Sequence, residues 1–404
     1  FLQAGSCCDM AMGLIDHGEV AAAICTAAKQ REVSASSSLG PQLQQKTTAS
    51  AGSRGSTADS HRPSISLSSL QSFNLDALEE LDHIEASVEA CSREVQAWRP
   101  EIFEFQRTLQ HAARNQGTVN LVKSLETGHF VAVKAMPQSW TTLSYTEHRQ
   151  SHPHDPENPW MDLGVVRYLS MKAVPFVIEP LGTFMDSHWT YCVSAFATEG
   201  DLFGFVSQGL EPGAEREQDL QPFMVQIFSA VRWLHDQYIA HCDISMENIL
   251  VTKENGRFQV KLIDFSMAVT GQKVISGQRG KPSYQAPEMA ISSFYDSFAL
   301  DCFAIGVVLF CSAARIHPWL STVPGRCKCF DYVTRHGHRK FWMSRKISKT
   351  PVVRTLNDVF SEGLKEVLEG LLALSPSERL SIEEAFSHGW FSGDGIVTET
   401  SFGS

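Results

Sequence analysis

The sequence predicts an α+β fold with two unequal lobes, a small β-rich N-lobe followed by a larger helical C-lobe. Two observations carry this prediction. The early part of the globular region alternates apolar and polar residues as strands do, in FEFQRTL, TVNLV and FVAVKAM. The later part has the apolar spacing of helices, as in Leu364–Leu374. Strands that precede helices along a chain are typical of proteins whose layers are segregated.

The composition fits a buried core and excludes several classes of protein. Of the 404 residues, 43% are hydrophobic and 20% are charged, which is ordinary for a globular chain. The net charge of −11 argues against binding to nucleic acid or to an anionic membrane and is compatible with positively charged substrates. Ten cysteines are too few for a disulfide scaffold, so we expect an intracellular protein, cytoplasmic or nuclear. The longest apolar stretch, Cys302–Cys311, is about half the length that a bilayer needs.

Two segments precede the globular region. Residues 1–72 are predicted to be a low-complexity, mostly disordered leader, because the Ser, Gln, Gly and Thr of 34–72 cannot bury enough apolar surface to offset the entropy of ordering. Residues 73–100 are predicted to form an amphipathic helix. Its apolar positions are Leu75, Leu78, Leu81, Ile84, Val88, Cys91, Val95 and Trp98. Two interpretations stay open: a short coiled coil that binds a partner through 74–98, or a helix docked on the next domain. Residues 392–404 are expected to be a tail.

Four motifs follow one another in a fixed order. They are VAVK at 131–134, HCDISMEN at 241–248, LIDFS at 262–266 and APE at 286–288. In this order and spacing the chain resembles the eukaryotic protein kinase family, serine/threonine type. The resemblance predicts a protein kinase domain over 101–391 with the two-lobed protein kinase fold.

The resemblance implies a role for each polar residue of these motifs. Phosphoryl transfer requires groups that neutralise the phosphate charge, groups that bind metal ions, and a substrate hydroxyl placed in line with the bond that breaks. Lys134 would contact the α- and β-phosphates of ATP, and Asp264 and Asn248 would hold Mg²⁺. Asp243 would accept the proton of the substrate hydroxyl. ATP and Mg²⁺ are therefore the expected cofactors.

Further residues are placed by the same resemblance. The nucleotide pocket is expected to include Gly117, Val119, Ala132, Lys134, Ala195, Ala197 and Asp201. Glu288 would pair with Arg379, and Asp301 would tie down the catalytic loop. Asp162 is the best candidate for the carboxylate that pairs with Lys134, with Glu157 as the second choice.

The sequence departs from the family pattern in its glycine-rich loop. The three glycine positions are Ala112, Arg114 and Gly117, so two glycines are replaced. If Arg114 adopts a positive φ, the strain is about 1–2 kcal/mol. Alternatively, Arg114 adds positive charge over the phosphates, or the loop has another conformation and contributes less. Ser266 also replaces the glycine of Asp-Phe-Gly, which restricts the backbone there.

Two replacements flank the catalytic Asp243. Cys242 stands where the family usually has an Arg. That Arg binds a phosphate on the activation segment, which is the chain between the LIDFS and APE motifs. We therefore expect activity that does not require phosphorylation of that segment. Ser245 stands where serine/threonine kinases usually have Lys, and Lys281 stands where they usually have Thr. We expect an exchange in which Lys281 supplies the charge at the γ-phosphate and Ser245 supplies the small hydroxyl; the alternative is a solvent-facing Lys281.

The sequence thus predicts an ATP- and Mg²⁺-dependent serine/threonine protein kinase. Residues 244–247 contain no Arg of the kind that tyrosine kinases carry after the catalytic Asp. The substrate is expected to be a protein, and a basic one if Glu199, Asp201 and Glu247 form an acidic cleft. The alternative is a pseudokinase that acts as a nucleotide-binding scaffold or interaction protein.

Overall fold

The computed structural model of the protein describes residues 75–112, 116–152, 155–275, 277–292, 294–347 and 353–391. Its contacts divide the chain into two units, 1–78 and 79–404. In the first unit only the start of a helix, at 75–78, belongs to the described residues. The second unit contains both lobes. The predicted leader, 1–72, and the predicted tail, 392–404, lie outside the described residues.

The N-lobe is built on a twisted sheet with three helices. Within the described residues the sheet has the strand order β1-β5-β6-β4-β3-β2. The strands are β1 (Gln96–Ala97), β2 (Phe103–His111), β3 (Thr118–Ser124), β4 (Phe130–Pro137), β5 (Pro180–Met185) and β6 (Trp189–Ala195). The helices are α1 (Leu75–Ser92), α2 (Tyr145–Ser151) and α3 (Pro159–Met171). Val131 and Val133 are buried in the sheet core, and the alternation of side chains along β4 leaves Lys134 on the cleft side.

The N-terminal helix is shorter than the sequence predicts, and the prediction of one helix over 73–100 is wrong at its C-terminal end. The helix ends at Ser92, and Gln96–Ala97 then pair in parallel with Phe184–Met185. Trp98 stacks on Tyr191 with ring centroids 4.0 Å apart. Val95 and Trp98 keep the spacing of three or four positions between apolar residues although they lie after the helix. Periodicity alone could therefore not locate the end of the helix. Ile84, Val88 and Cys91 are buried, as expected for the docked interpretation.

The C-lobe is mainly helical. Its helices are α4 (Leu202–Ser207), α5 (Ala214–Asp236), α6 (Ser297–Ala314), α7 (Lys328–His336), α8 (His338–Ser344), α9 (Leu356–Val359), α10 (Glu362–Leu371) and α11 (Ile382–Phe386). Its strands are β7 (Ile239–Ala240), β8 (Ile249–Glu254), β9 (Arg257–Leu262), β10 (Val269–Thr270), β11 (Lys273–Ile275) and β12 (Phe294–Asp296). They form three two-stranded ribbons, β7 with β10, β8 with β9, and β11 with β12.

The helix α6 forms the centre of the C-lobe. Its 18 residues are apolar enough to span a bilayer by length and composition, but 89% of them are buried inside the protein. A Cβ at Gly306 would lie 2.9 Å from the side chains of Leu371 and Leu372. Glycine at this position therefore allows the end of α10 to pack directly on α6.

Candidate active site

A cleft of about 1060 Å³ lies between the N-lobe sheet and the C-lobe. All the residues predicted to bind nucleotide line it: Gly117, Val119, Ala132, Lys134, Ala195, Ala197 and Asp201. So do Asp162, Asp243, Asn248, Asp264 and Lys281, which bring the four sequence motifs to one place. Leu250 and Ile263 also line the cleft, and the sequence reasoning missed them. Their signal was apolar character close to motif residues, since Leu250 is two residues after Asn248 and Ile263 is directly before Asp264.

Lys134 makes contact with two carboxylates. Its Nζ donates to Asp162 Oδ2 at 2.8 Å and lies 3.5 Å from Asp264 Oδ1. Burial alone would lower the pKa of Lys134, but these two carboxylates raise it above its ordinary value, so the side chain is a cation. The partner is Asp162, the first choice from the sequence, rather than Glu157.

Asp162 also links α3 to the segment that follows β9. Its second oxygen, Oδ1, accepts from the backbone N–H of Phe265 at 2.8 Å. The backbone N–H of Asn158, which caps α3, donates to the carbonyl of Ser266 at 2.8 Å. The start of α3 is therefore held against residues 264–266 by two hydrogen bonds.

Asp264 has a left-handed backbone, with a φ of 63°. Its Oδ1 accepts from the Ser266 hydroxyl at 2.8 Å. Burial would raise the pKa of Asp264, but Lys134 and the Ser266 hydroxyl overcome this and lower it to about 2. Asp264 is therefore ionised at neutral pH, and its Oδ2 takes no part in these bonds.

Asp243 has two carboxylate oxygens in different surroundings. Oδ2 accepts from the Asn248 side-chain amide at 2.9 Å, and the same amide donates to the Asp243 carbonyl at 2.8 Å. Oδ1 is buried and accepts no hydrogen bond from the described residues. Burial raises the pKa of Asp243, and Lys281 and His241 oppose that rise. A buried, unsatisfied carboxylate oxygen costs free energy unless a donor binds to it, and a substrate hydroxyl is such a donor.

The Lys281 side chain is hydrogen-bonded to Ser245 and Glu247, so it is not the solvent-facing lysine of the alternative interpretation. Its Nζ donates to Ser245 Oγ at 2.8 Å and to Glu247 Oε2 at 2.9 Å. Burial would raise the pKa of Glu247, but Lys281 lowers it below the ordinary value. The cation at 281 therefore lies beside the position where the family usually has its Lys.

The catalytic loop is held by one buried carboxylate. Asp301 accepts from the backbone N–H of His241 and from that of Cys242, both at 2.8 Å. Cys242 has a φ of 60°, a conformation that non-glycine residues rarely adopt. Asp301 is fully buried, and its hydrogen bonds stabilise this strained turn directly before Asp243.

Arg279 is a residue that the sequence reasoning missed. Its Nη1 donates to the carbonyl of Pro156 at 2.7 Å and to that of Met267 at 2.8 Å. It lines the same small cavity as Cys242. An arginine in the activation segment thus lies beside the position where the family usually has an arginine in the catalytic loop. The only sequence signal was a cation next to Gly280.

The late part of the activation segment is anchored by Glu288 and Arg379. Arg379 Nη1 donates to Glu288 Oε1 at 2.6 Å and Nη2 donates to Oε2 at 2.8 Å. Both residues are buried, and such a bidentate pair has fixed geometry.

Of the glycine-rich loop, Arg114 lies outside the described residues. The backbone N–H of Ala112 donates to the carbonyl of Gly117 at 2.8 Å, which joins β2 to β3. The positive φ in the described part of this loop belongs to Gln116, at 58°. A left-handed residue is therefore present in the described part of the loop, and the expectation for Arg114 stays a prediction.

Glu199, Asp201 and Glu247 all line the cleft, as predicted, but their carboxylates differ in how many hydrogen bonds or ion pairs they already form. Glu247 pairs with Lys281, and Asp201 Oδ1 accepts from the Gly204 N–H at 2.7 Å as the N-cap of α4. Glu199 is exposed and accepts from the neighbouring Thr198 hydroxyl at 3.1 Å. Glu199 therefore has the carboxylate most accessible to a cationic substrate.

Comparison with known proteins agrees with this geometry. Residues 115–391 match the family model described as a protein kinase domain. The serine/threonine-protein kinase SBK1 of Danio rerio is 31% identical over 229 residues, which are 54% of this chain and 55% of the relative. The serine/threonine-protein kinase cds1 of Schizosaccharomyces pombe is 25% identical over 302 residues, 72% of this chain and 58% of the relative. The chain spans about half the length of these curated relatives.

Proposed function

This chain belongs to the protein kinase family, and from that premise we propose that it is an active serine/threonine kinase that transfers the γ-phosphoryl group of ATP to protein hydroxyls. The observation that carries the proposal is Asp243. Its buried Oδ1 has no hydrogen-bond partner among the described residues and lies in a cleft that Lys134 and Lys281 also line. A scaffold has no chemical need to keep a buried carboxylate oxygen unsatisfied in such a cleft.

Each residue has a defined task in this proposal. Lys134 is held by Asp162 and Asp264 and donates to phosphate oxygens. Asp243 accepts the hydroxyl proton at Oδ1 while Asn248 holds its Oδ2. Lys281 places its ammonium group beside Ser245, where charge develops on the phosphate being transferred.

The donors fit Mg²⁺. Asp264 Oδ2 lies outside the hydrogen bonds of that carboxylate to Lys134 and Ser266. Asn248 uses its side-chain nitrogen for Asp243, so its side-chain oxygen Oδ1 is available to a metal ion. Mg²⁺ is usually held by one or two carboxylates together with substrate phosphates and water. When bound, it would neutralise phosphate charge.

Phosphate transfer from ATP·Mg²⁺ to a generic basic protein tests the proposal. We expect transfer by the wild type and a loss of about a hundredfold or more in Asp243→Ala, because the base is removed. If neither protein transfers phosphate while ATP still raises the melting temperature, the pseudokinase alternative replaces the proposal.

We also propose a preference for basic peptide substrates, supported by Glu199. Its carboxylate is exposed at the cleft and forms no ion pair with any of the residues that the structure describes. Glu199→Gln should raise KM for an Arg-containing peptide about threefold to fivefold at low salt, in line with the ~1 kcal/mol of an exposed pair, and leave KM for ATP unchanged. An unchanged peptide KM would contradict this preference.

An intracellular location remains part of the proposal. It is supported by the free thiols of the described residues, among them the buried Cys242, Cys302 and Cys311. Microscopy of the tagged full chain would decide it, and secretion into the medium would contradict it.

A further inference from the structure

The helix α1 packs on α3, the helix that carries Asp162. Val88 is fully buried and Ile84 is 4% exposed, although both precede residues 115–391, which match the family. Cys91 Sγ donates to Met171 Sδ, at the end of α3, at 3.7 Å. Ile84, Val88 and Cys91 of α1 are therefore buried within the unit that contains both lobes of the same chain.

The two helices touch at a glycine. A Cβ at Gly164 of α3 would lie 2.3 Å from the carbonyl oxygen of Val88 and 2.9 Å from its Cγ1. Any side chain at position 164 would thus force the helices apart. Glycine weakens a helix interior, and here it permits a close backbone approach.

Polar contacts also hold α1 against α2, and hold the residues directly after α1 against α3. Arg149 pairs with Glu85, the Thr146 hydroxyl donates to Glu89 Oε1 at 2.8 Å, and Arg167 Nη2 lies 2.5 Å from Glu94 Oε2. At the other end, Leu81 side-chain carbons lie 3.6 Å from the Cβ position of Gly271 in the activation segment. The chain from Leu81 to Glu94 therefore contacts α2, α3 and the activation segment, which α3 also meets through Asn158 and Asp162.

We propose that α1 sets the position of α3, and that Ile84 and Val88 are positioning residues for phosphoryl transfer. The inference rests on the proposed kinase function. Asp is shorter than Glu by one C–C bond, about 1.5 Å. The helix α3 must therefore lie close to β4 for Asp162 Oδ2 to reach Lys134 Nζ at 2.8 Å.

The direction of the contact supports this role. Gly164 follows Asp162 by two residues, which corresponds to about 200° around an α-helix. The helix α1 therefore contacts the side of α3 that faces away from Lys134. Packing from behind holds the short carboxylate against its partner.

The double variant Ile84→Ala/Val88→Ala tests the inference, because alanine keeps the helix propensity and removes the packing. The matched control is Glu79→Ala/His83→Ala, with the same spacing on the exposed side of α1. We expect kcat to fall about tenfold to a hundredfold in the first variant, as for a displacement of about 1 Å. The control should keep the wild-type kcat. If the first variant fails to fold, Val88→Ala alone replaces it.

Rescue by Asp162→Glu separates positioning from a general loss of stability. The longer carboxylate should lower kcat in the wild-type background, where Asp162 is 8% exposed and has little room. In the Ile84→Ala/Val88→Ala background it should raise kcat, because it restores the reach to Lys134. Effects of Asp162→Glu that are equal in the two backgrounds would overturn the inference.

Hydrogen exchange of the α3 amides gives a readout that needs no activity. Exchange over 159–171 should become faster in Ile84→Ala/Val88→Ala and stay unchanged in the control. Unchanged exchange in both variants would overturn the inference even in an active kinase. An inactive wild type would contradict the proposed function, and the exchange experiment would still decide whether α1 positions α3.

Discussion

Lys281 and Ser245 are in contact, as the proposed exchange with the single Lys of the usual catalytic loop requires. The Lys281 Nζ reaches Ser245 Oγ at 2.8 Å, and Glu247 on the other side neutralises part of its charge. The ammonium group comes from the activation segment, whereas the family pattern takes it from the loop after Asp243. The cation can thus occupy a similar place although it is attached to a different part of the backbone.

Lys281→Thr should therefore reduce kcat about a hundredfold, and the added change Ser245→Lys should restore part of that loss. The reason is that the double variant returns the charge to the loop. The measurement is steady-state kinetics of the wild type, the two single variants and the double variant. Simple additivity of the two changes would contradict the exchange.

The pH profile of kcat/KM should also depend on Lys281. Burial raises the pKa of Asp243 and Lys281 lowers it, so Asp243 loses its base function on the acid side, at a higher pH than an ordinary Asp would. Lys281→Met removes the cation, raises the pKa of Asp243 further and should move the acid limb to higher pH. Ser245→Ala keeps the charge and should leave the limb in place. An acid limb that does not move in Lys281→Met would rule out this electrostatic link.

Among the elements, α3 and the activation segment are joined by hydrogen bonds between protein groups. Arg279 binds the carbonyls of Pro156, before α3, and Met267, after Asp264. Asn158 and Asp162 add their hydrogen bonds to residues 265 and 266. In the family pattern, a phosphate on the activation segment meets an arginine of the catalytic loop; here an arginine of the activation segment meets backbone carbonyls directly.

We therefore expect dephosphorylated enzyme to keep its activity and Arg279→Met to lose about tenfold in kcat or more, since two charge-assisted hydrogen bonds are removed. Gln278→Ala, the exposed neighbour, is the control and should behave as wild type. Phosphatase treatment followed by a transfer assay is the measurement. Inert dephosphorylated protein that recovers upon phosphorylation at Thr270, Ser276 or Ser283 would show that the interpretation is wrong.

At the scale of the whole molecule, buried polar contacts tie segments that are far apart in the chain. Glu288 and Arg379 are 91 residues apart and pair with almost no exposure to solvent. Asp301 in the core helix α6 accepts from the backbone N–H groups of His241 and Cys242, which precede it by 60 and 59 residues. The catalytic loop and the activation segment thus depend on the packed C-lobe for their shape.

Arg379→Met should lower the free energy of unfolding by about 3–5 kcal/mol, because Glu288 would remain buried without its partner. The double variant Glu288→Gln/Arg379→Met should lose less. The exposed pair of Arg232 and Glu383 in the same lobe is the control, and Arg232→Met should change the stability by less than about 1 kcal/mol. Urea denaturation at pH 7 measures all three, and a loss in Arg379→Met as small as in the control would contradict the prediction.

The sequence was sufficient to identify the residues that meet in the cleft, since phosphoryl transfer restricts their types. Lys134, Asp243, Asn248 and Asp264 belong to motifs whose order and spacing are visible in one dimension, and all four line one cleft. Asp162 was identified because α3 needs a carboxylate in this region. The proximity of Lys281 and Ser245 was also expected from their complementary replacement.

Apolar periodicity and motif chemistry are local properties, so the two-lobed α+β fold and these candidate residues are predictable from one sequence. The end of the N-terminal helix at Ser92, its packing on α3 and the position of Arg279 between Pro156 and Met267 depend on tertiary contacts. The need for glycine at position 164 becomes visible only when the Val88 carbonyl is seen to pack against it. Such contacts join residues of distant sequence positions through packing and backbone carbonyls, which carry no residue-type signal that a single sequence could reveal.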